Sequence, residues 1–95
     1  MAAYVIVDIE VTDPVQYETY KRTAASTVTA HGGRYIVRGG QAERLEGTWA
    51  PRRVVVLEFP SMEQARTWWS SDDYRPARDL RREAATFQMI LVEGV

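Results

Sequence analysis

The chain has 95 residues, 45 % of them apolar and 26 % charged, with a net charge of −1, no cysteine and one histidine. These totals fit one small folded domain. They exclude disulfides, thiolate catalysis, and any thiolate or multi-histidine metal site within a single chain. Near-neutral charge gives no electrostatic reason to expect nucleic acid or an anionic membrane as partner. No apolar run approaches the roughly 20 residues of a membrane span. The opening "MAAYVIVDIEVTD" reaches Asp8 and Glu10 before a secretory h-region is complete, so it reads as a strand and the expected location is cytoplasmic. A domain this small buries a modest fraction of its surface, which makes self-association a natural source of further stability.

In chain order, "YVIVDIEV" alternates, with Val5, Val7, Ile9 and Val11 on one face and Tyr4, Ile6, Asp8 and Glu10 on the other. A helix start follows in "TDPVQ": Asp13 as N-cap, Pro14 at the first helical position and Gln16 closing a capping box. Tyr17, Tyr20, Ala24 and Val28 recur at helical spacing as one buried stripe, and Gly32 with Gly33 ends the helix. "GGRYIVRGG" is then a short strand. Strict alternation puts Arg34, Ile36 and Arg38 on one face, and Tyr35 and Val37 on the other. "QAERLEGTWAPR" is too long for a tight hairpin and reads as a functional or dimer-contacting loop, with room for short strands of its own.

"RVVVLEF" is a third strand, dividing into Val55, Leu57 and Phe59 against Val54, Val56 and Glu58. Pro60 stops it, and Ser61 with Gln64 opens a helix through Met62, Ala65, Trp68 and Trp69. Adjacent tryptophans on a helix lie about 100 degrees apart, so one faces the core and the other partly faces water. "SSDD" resets the chain into a shorter helix with Ala77, Leu80, Ala84 and Ala85, and with Pro76 in its first turn. "FQMILVE" is the last strand, and the run Arg81, Arg82, Glu83 reads as a solvated helix face. The order β-α-β-β-α-β is that of an α+β, ferredoxin-like domain spanning residues 1–95: a four-stranded antiparallel sheet with its helices on one face.

One sheet face is then bare. It collects Tyr4, Ile6, Asp8, Glu10, Arg34, Ile36, Arg38, Val54, Val56 and Glu58, too apolar for water and too charged for an ordinary core. Such a surface marks a partner or ligand face. A second copy of the chain covers both patches at once by wrapping two sheets into a barrel. Inside it, Arg34 or Arg38 pairs with Asp8 or Glu58, since an unpaired buried charge is costly.

The segments "VDIEVTDPVQYETY", "GGRYIVRGG", "LEGTWAPRRVVVLEFPS", "ARTWWSSDDYRPARDLR" and the terminal "VEG" resemble the uncharacterised DUF 1330 family, a branch of the dimeric α+β barrel superfamily. The resemblance runs over nearly the whole chain. It implies a ferredoxin-like protomer, a homodimer with facing sheets, and a pocket between sheet and helices or within the barrel. It implies no activity. The wider superfamily includes cofactor-free monooxygenases, lactone isomerases and haem enzymes, which serve only as analogies.

Three readings follow. In the first, a small-molecule ligand, anionic or carbonyl-bearing, sits in the barrel cavity. Arg34 and Arg38 hold it, Asp8 and Glu58 balance charge, and Tyr20, Trp49 and Trp68 line the walls. In the second, a cofactor-independent monooxygenase- or isomerase-like enzyme uses His31, Asp8 or Glu58 as a general base. His31 has the simpler explanation of a C-terminal helix cap. In the third, the protein is a structural dimer whose charges are all paired. None of the three calls for a metal or cofactor. Gly39 and Gly40 read either as a backbone nest for an anion or, more simply, as a turn needing positive φ.

Overall fold

The computed structural model describes residues 1–95. Strand β1 (Ala3–Val11) leads to helix α1 (Pro14–Ala30), strands β2 (Arg34–Arg38) and β3 (Val54–Phe59), helices α2 (Met62–Ser70) and α3 (Arg75–Arg81), and strand β4 (Ala85–Glu93). The strands form one antiparallel sheet in the order β2-β3-β1-β4, with three helices against one face. This is the expected α+β, ferredoxin-like architecture.

Alternation builds the covered face. Ala3, Val5, Val7 and Ile9 of β1 and Val55, Leu57 and Phe59 of β3 are buried, together with Tyr17, Tyr20, Ala24 and Val28 of α1. Phe59, Trp68 and Tyr74 stack in series, with ring centroids 5.3 and 4.2 Å apart. Each such ring removes on the order of 150–250 Å² from water, so this trio is a large part of the stabilisation. Trp68 is 1 % exposed and Trp69 41 %, the division that their helical phase predicts.

The helix termini follow local chemistry. Asp13 accepts from the backbone N–H groups of Val15 and Gln16 at the start of α1. The Asp13 N–H itself donates to the Ala84 carbonyl, so a tertiary bond takes the place of the Gln16 half of the capping box. Ser61 accepts from the Gln64 N–H and starts α2. Gly32, at φ +82°, ends α1 in a conformation that side chains resist.

Three local expectations are corrected. Residues 39–53 contain no strand of their own. Helix α3 stops at Arg81, so Ala84 lies beyond it and Ala85 begins β4. The largest correction concerns β2. Arg34 pairs with Glu58 and Tyr35 with Leu57, but the next pairs are Val37 with Val56 and Arg38 with Val55. One extra residue, Ile36, is inserted as a β-bulge and resets the alternation. Val37 therefore joins the bare face and Arg38 the helix-covered face, the reverse of their expected placement.

Candidate functional site

The sheet separates the sequence-nominated residues into two groups. On the bare face, Glu58 accepts from Arg34 Nε at 2.7 Å and from the Tyr4 hydroxyl at 3.2 Å. This pairing lowers the Glu58 carboxyl below its usual range, with Arg34 as the main cause. Asp8 accepts from the Trp49 indole N–H at 3.0 Å and from the Arg52 backbone N–H at 3.0 Å. Those two bonds, the indole's first, likewise lower the Asp8 carboxyl. Trp49 is 61 % exposed and is tethered to the sheet by this bond. Around these pairs lie Ile6, Ile36, Val37, Val54, Val56, Ile90 and Val92, all wholly or partly exposed.

The second group lies beneath α1. Tyr17, Tyr20, Tyr35, Arg38, Arg53 and Lys21 line a pocket whose floor is Val7, Ile9, Val55 and Leu57, with Trp68 and Phe87 deeper in. Arg38 stacks on the Tyr35 ring at 4.2 Å. Arg53 donates through Nε to the Tyr17 hydroxyl at 3.1 Å. Its guanidinium fills the space that a Cβ at residue 39 would occupy, and Gly39 turns there at φ +74°. The glycine pair is thus explained by a turn and a close approach. Neither Arg38 nor Arg53 has a carboxylate within salt-bridge distance. No carboxylate lines the pocket either. The free volume is about 30 Å³, room for roughly two waters, so anything larger enters only as the long side chains at the mouth swing aside.

A hydrogen-bonded chain backs this pocket. The Tyr20 hydroxyl lies 2.8 Å from that of Tyr74, and Arg81 Nη1 donates to the Tyr74 oxygen at 3.0 Å. Burial pushes both phenols above their ordinary pKa, so they stay protonated at neutral pH. Arg81 spreads over the Phe87 ring at 4.5 Å. It is therefore turned inward, contrary to the solvated face expected for residues 81–83, whereas Arg82 and Glu83 are exposed.

The fold therefore brings Tyr20, Arg38 and Trp68 together under α1, and Arg34, Glu58, Asp8 and Trp49 onto the opposite face. Trp68 also donates to Thr27 Oγ1 at 3.0 Å inside the core. His31 belongs to neither group. It caps α1 with its N–H and places its ring 3.3 Å from Asp73, beside Gly32, Ser61 and Gln64. Arg53 and Tyr74 are not anticipated from the sequence, although a signal for each is present. Arg53 shares the parity of Val55, Leu57 and Phe59, and Tyr74, Ala77 and Arg81 recur at helical spacing. The residues present form no cluster of three or more potential metal ligands, and no helix is long and apolar enough to cross a membrane.

No curated protein matches the sequence. Several solved structures match the fold. A protein of unknown function from Rhodopseudomonas palustris is 18 % identical, with a TM-score of 0.78 over 99 % of this chain and 82 % of that one. SnoaB, a cofactor-independent oxygenase from Streptomyces nogalater, is 13 % identical, with a TM-score of 0.69 over 99 % and 93 % of the two chains. A dimeric ferredoxin-like protein of unknown function from Thermobifida fusca is 16 % identical, with a TM-score of 0.62 over 99 % and 92 %. At these identities the likeness is one of fold. The sequence itself is more specific: a family model described as Domain of unknown function (DUF1330) matches residues 2–95, and the chain belongs to that family.

Proposed function

We propose that the protein is a homodimer that binds a small organic anion in the pocket beneath α1, with Arg38 and Arg53 as the anion-binding groups and Tyr17, Tyr20 and Tyr35 as walls. The observation that carries this reading is the placement of two guanidiniums without carboxylate partners at the mouth of an apolar, tyrosine-lined pocket. A guanidinium suits bidentate capture of a carboxylate, and an apolar surround weakens competition from water. Arg34, named with Arg38 on sequence grounds, instead serves the bare face through Glu58. The dimer rests on that face: its exposed branched aliphatics are punctuated by charges already paired within one chain, a combination suited to burial against a second copy. Two proteins of similar fold are described as dimeric, which supports a dimer without specifying its face.

A cofactor-independent oxygenase, as SnoaB is described, is the second reading. One observation favours it: Tyr20 lines the pocket and its hydroxyl is backed by Tyr74 and Arg81, a chain that suits donation to an oxyanion. Asp8 and Glu58 lie on the other face of the sheet, each held ionised by its own donors. His31 bonds Asp73 outside the pocket. A base would therefore have to come with the substrate.

Thermal-shift titration with small carboxylates, phenols and lactones tests the binding reading. A saturable rise in Tm is expected for a carboxylate. Arg38→Ala should weaken it by about tenfold or more, the scale of one charge-assisted hydrogen bond. An unchanged response in Arg38→Ala removes the assignment.

A further inference from the structure

Helix α1 runs for 17 residues over the sheet, but α2 and α3 have only nine and seven. The shorter pair leaves the inner side of the outermost strand half roofed, and Phe87, Met89 and Leu91 are only partly buried. Above them opens a groove of about 560 Å³, walled by Ala65, Trp69 and Ser70 of α2 and rimmed by Arg66 and Arg81. Its size lies within the roughly 300–1,000 Å³ usual for small-molecule sites. It is far larger than the space beneath α1.

The charges of the two helices are sorted around this groove. Arg75 pairs with Asp72 at 3.1 Å and Arg82 with Asp79 at 3.8 Å, each pair three residues apart in the chain at one end of α3. Arg66, Arg78 and Arg81 have no carboxylate within salt-bridge distance. Arg78 stacks on the exposed Trp69 ring at 4.2 Å, and its Nε is buried without a hydrogen-bond partner. Arg81 lies over the Phe87 ring and uses Nη1 for Tyr74. Cations stacked on aromatic rings beside an apolar floor are partly desolvated, so an incoming anion gains more there than at an open surface.

We infer that this groove, which shares Phe87 and Met89 with the pocket beneath α1, is a second binding site, for an amphipathic carboxylate with an aromatic or short acyl body. The body covers Phe87, Met89 and Leu91 beside Trp69, and the carboxylate meets Arg66 and the free edge of Arg81. A neutral ligand of the same shape leaves the guanidiniums uncompensated, and a compact inorganic anion leaves the apolar floor in water.

The test is calorimetric titration of the intact protein with 3-phenylpropanoate and with its neutral amide, with the Trp69 indole N–H followed by NMR. The carboxylate should bind saturably and shift the Trp69 signal. The amide should bind about tenfold more weakly or worse, and Arg66→Gln should cost the carboxylate about tenfold. Arg82→Gln, whose guanidinium pairs with Asp79, should change nothing. Arg81 supports Tyr74, so the exposed Arg66 carries the test without endangering the fold. The inference is overturned by absence of saturable binding, by equal affinity for acid and amide, or by loss in Arg38→Ala with none in Arg66→Gln. That last result places the probe beneath α1 and leaves the proposed function standing. A Trp69 shift produced by raising protein concentration alone, with doubling of mass, assigns the groove to a second copy and also overturns it.

Discussion

The two faces of the sheet are made from the same strands, yet they solve opposite problems. On the covered face, buried polar atoms are few and, Arg78 Nε apart, are satisfied inside the protein: Trp68 on Thr27, Tyr20 on Tyr74, Tyr74 on Arg81. On the bare face, every carboxylate of β1 and β3 is engaged by a donor from another segment. Glu58 is held by Arg34, Asp8 by Trp49, and Glu10 by Arg52 at 3.8 Å. The first arrangement makes a core. The second makes a surface that stays neutral enough to be covered without first finding counter-charges in a partner. Pairing within the chain thus leaves shape and apolar contact to decide what docks there.

The sharpest way to break this contrast is to damage the covered face. Trp68→Ala empties the centre of the Phe59–Trp68–Tyr74 stack and should destabilise the fold by about 3–5 kcal/mol. Denaturant unfolding measures it, and a loss below about 1 kcal/mol would mean that the stack is not the core's centre. The next effect should appear only in assembly. Val56 lies mid-strand on the bare face, opposite Ile6 and Val37. Val56→Asp should leave the monomer folded by circular dichroism yet weaken dimerisation by about 2 kcal/mol or more, roughly 30-fold. Light scattering across a dilution series reads this directly, and an unchanged mass at every concentration contradicts the proposed interface.

The smallest effect concerns pH. Asp8 has its folded pKa lowered by the Trp49 and Arg52 donors. The stability these bonds add is therefore complete above the ordinary carboxylate pKa of about 4 and fades as pH falls through the lowered value. Trp49 emission should change over that acid range, and Asp8→Asn should flatten the profile. A transition near neutrality would mean that some other group controls the indole.

Much of the architecture was legible because buried strands alternate and buried helices repeat. Val5, Val7 and Ile9, Val55, Leu57 and Phe59, and Tyr17 through Val28 all occupy the sides their spacing assigns. Arg34 also found one of the acids proposed for it, since the register opposite Glu58 precedes any irregularity. The candidate site was only half legible. Its membership depends on a bulge that nothing in "RYIVR" announces, because every residue there tolerates either face. The groove beside β4 was hidden for a different reason. It follows from how far two short helices reach across a sheet, a length difference that no single motif records.

The inserted residue at Ile36 has one more consequence. The bulge governs which surface receives a guanidinium: unbroken alternation through Ile36 would put Val37 in the interior and Arg38 on the bare face, whereas with Ile36 unpaired they lie opposite Val56 and Val55 instead. Position-by-position comparison with relatives that lack the insertion will therefore equate Arg38 with side chains that point the other way. Superposed backbones, not aligned letters, are the sound basis for asking whether those relatives carry the same charge in the same chamber.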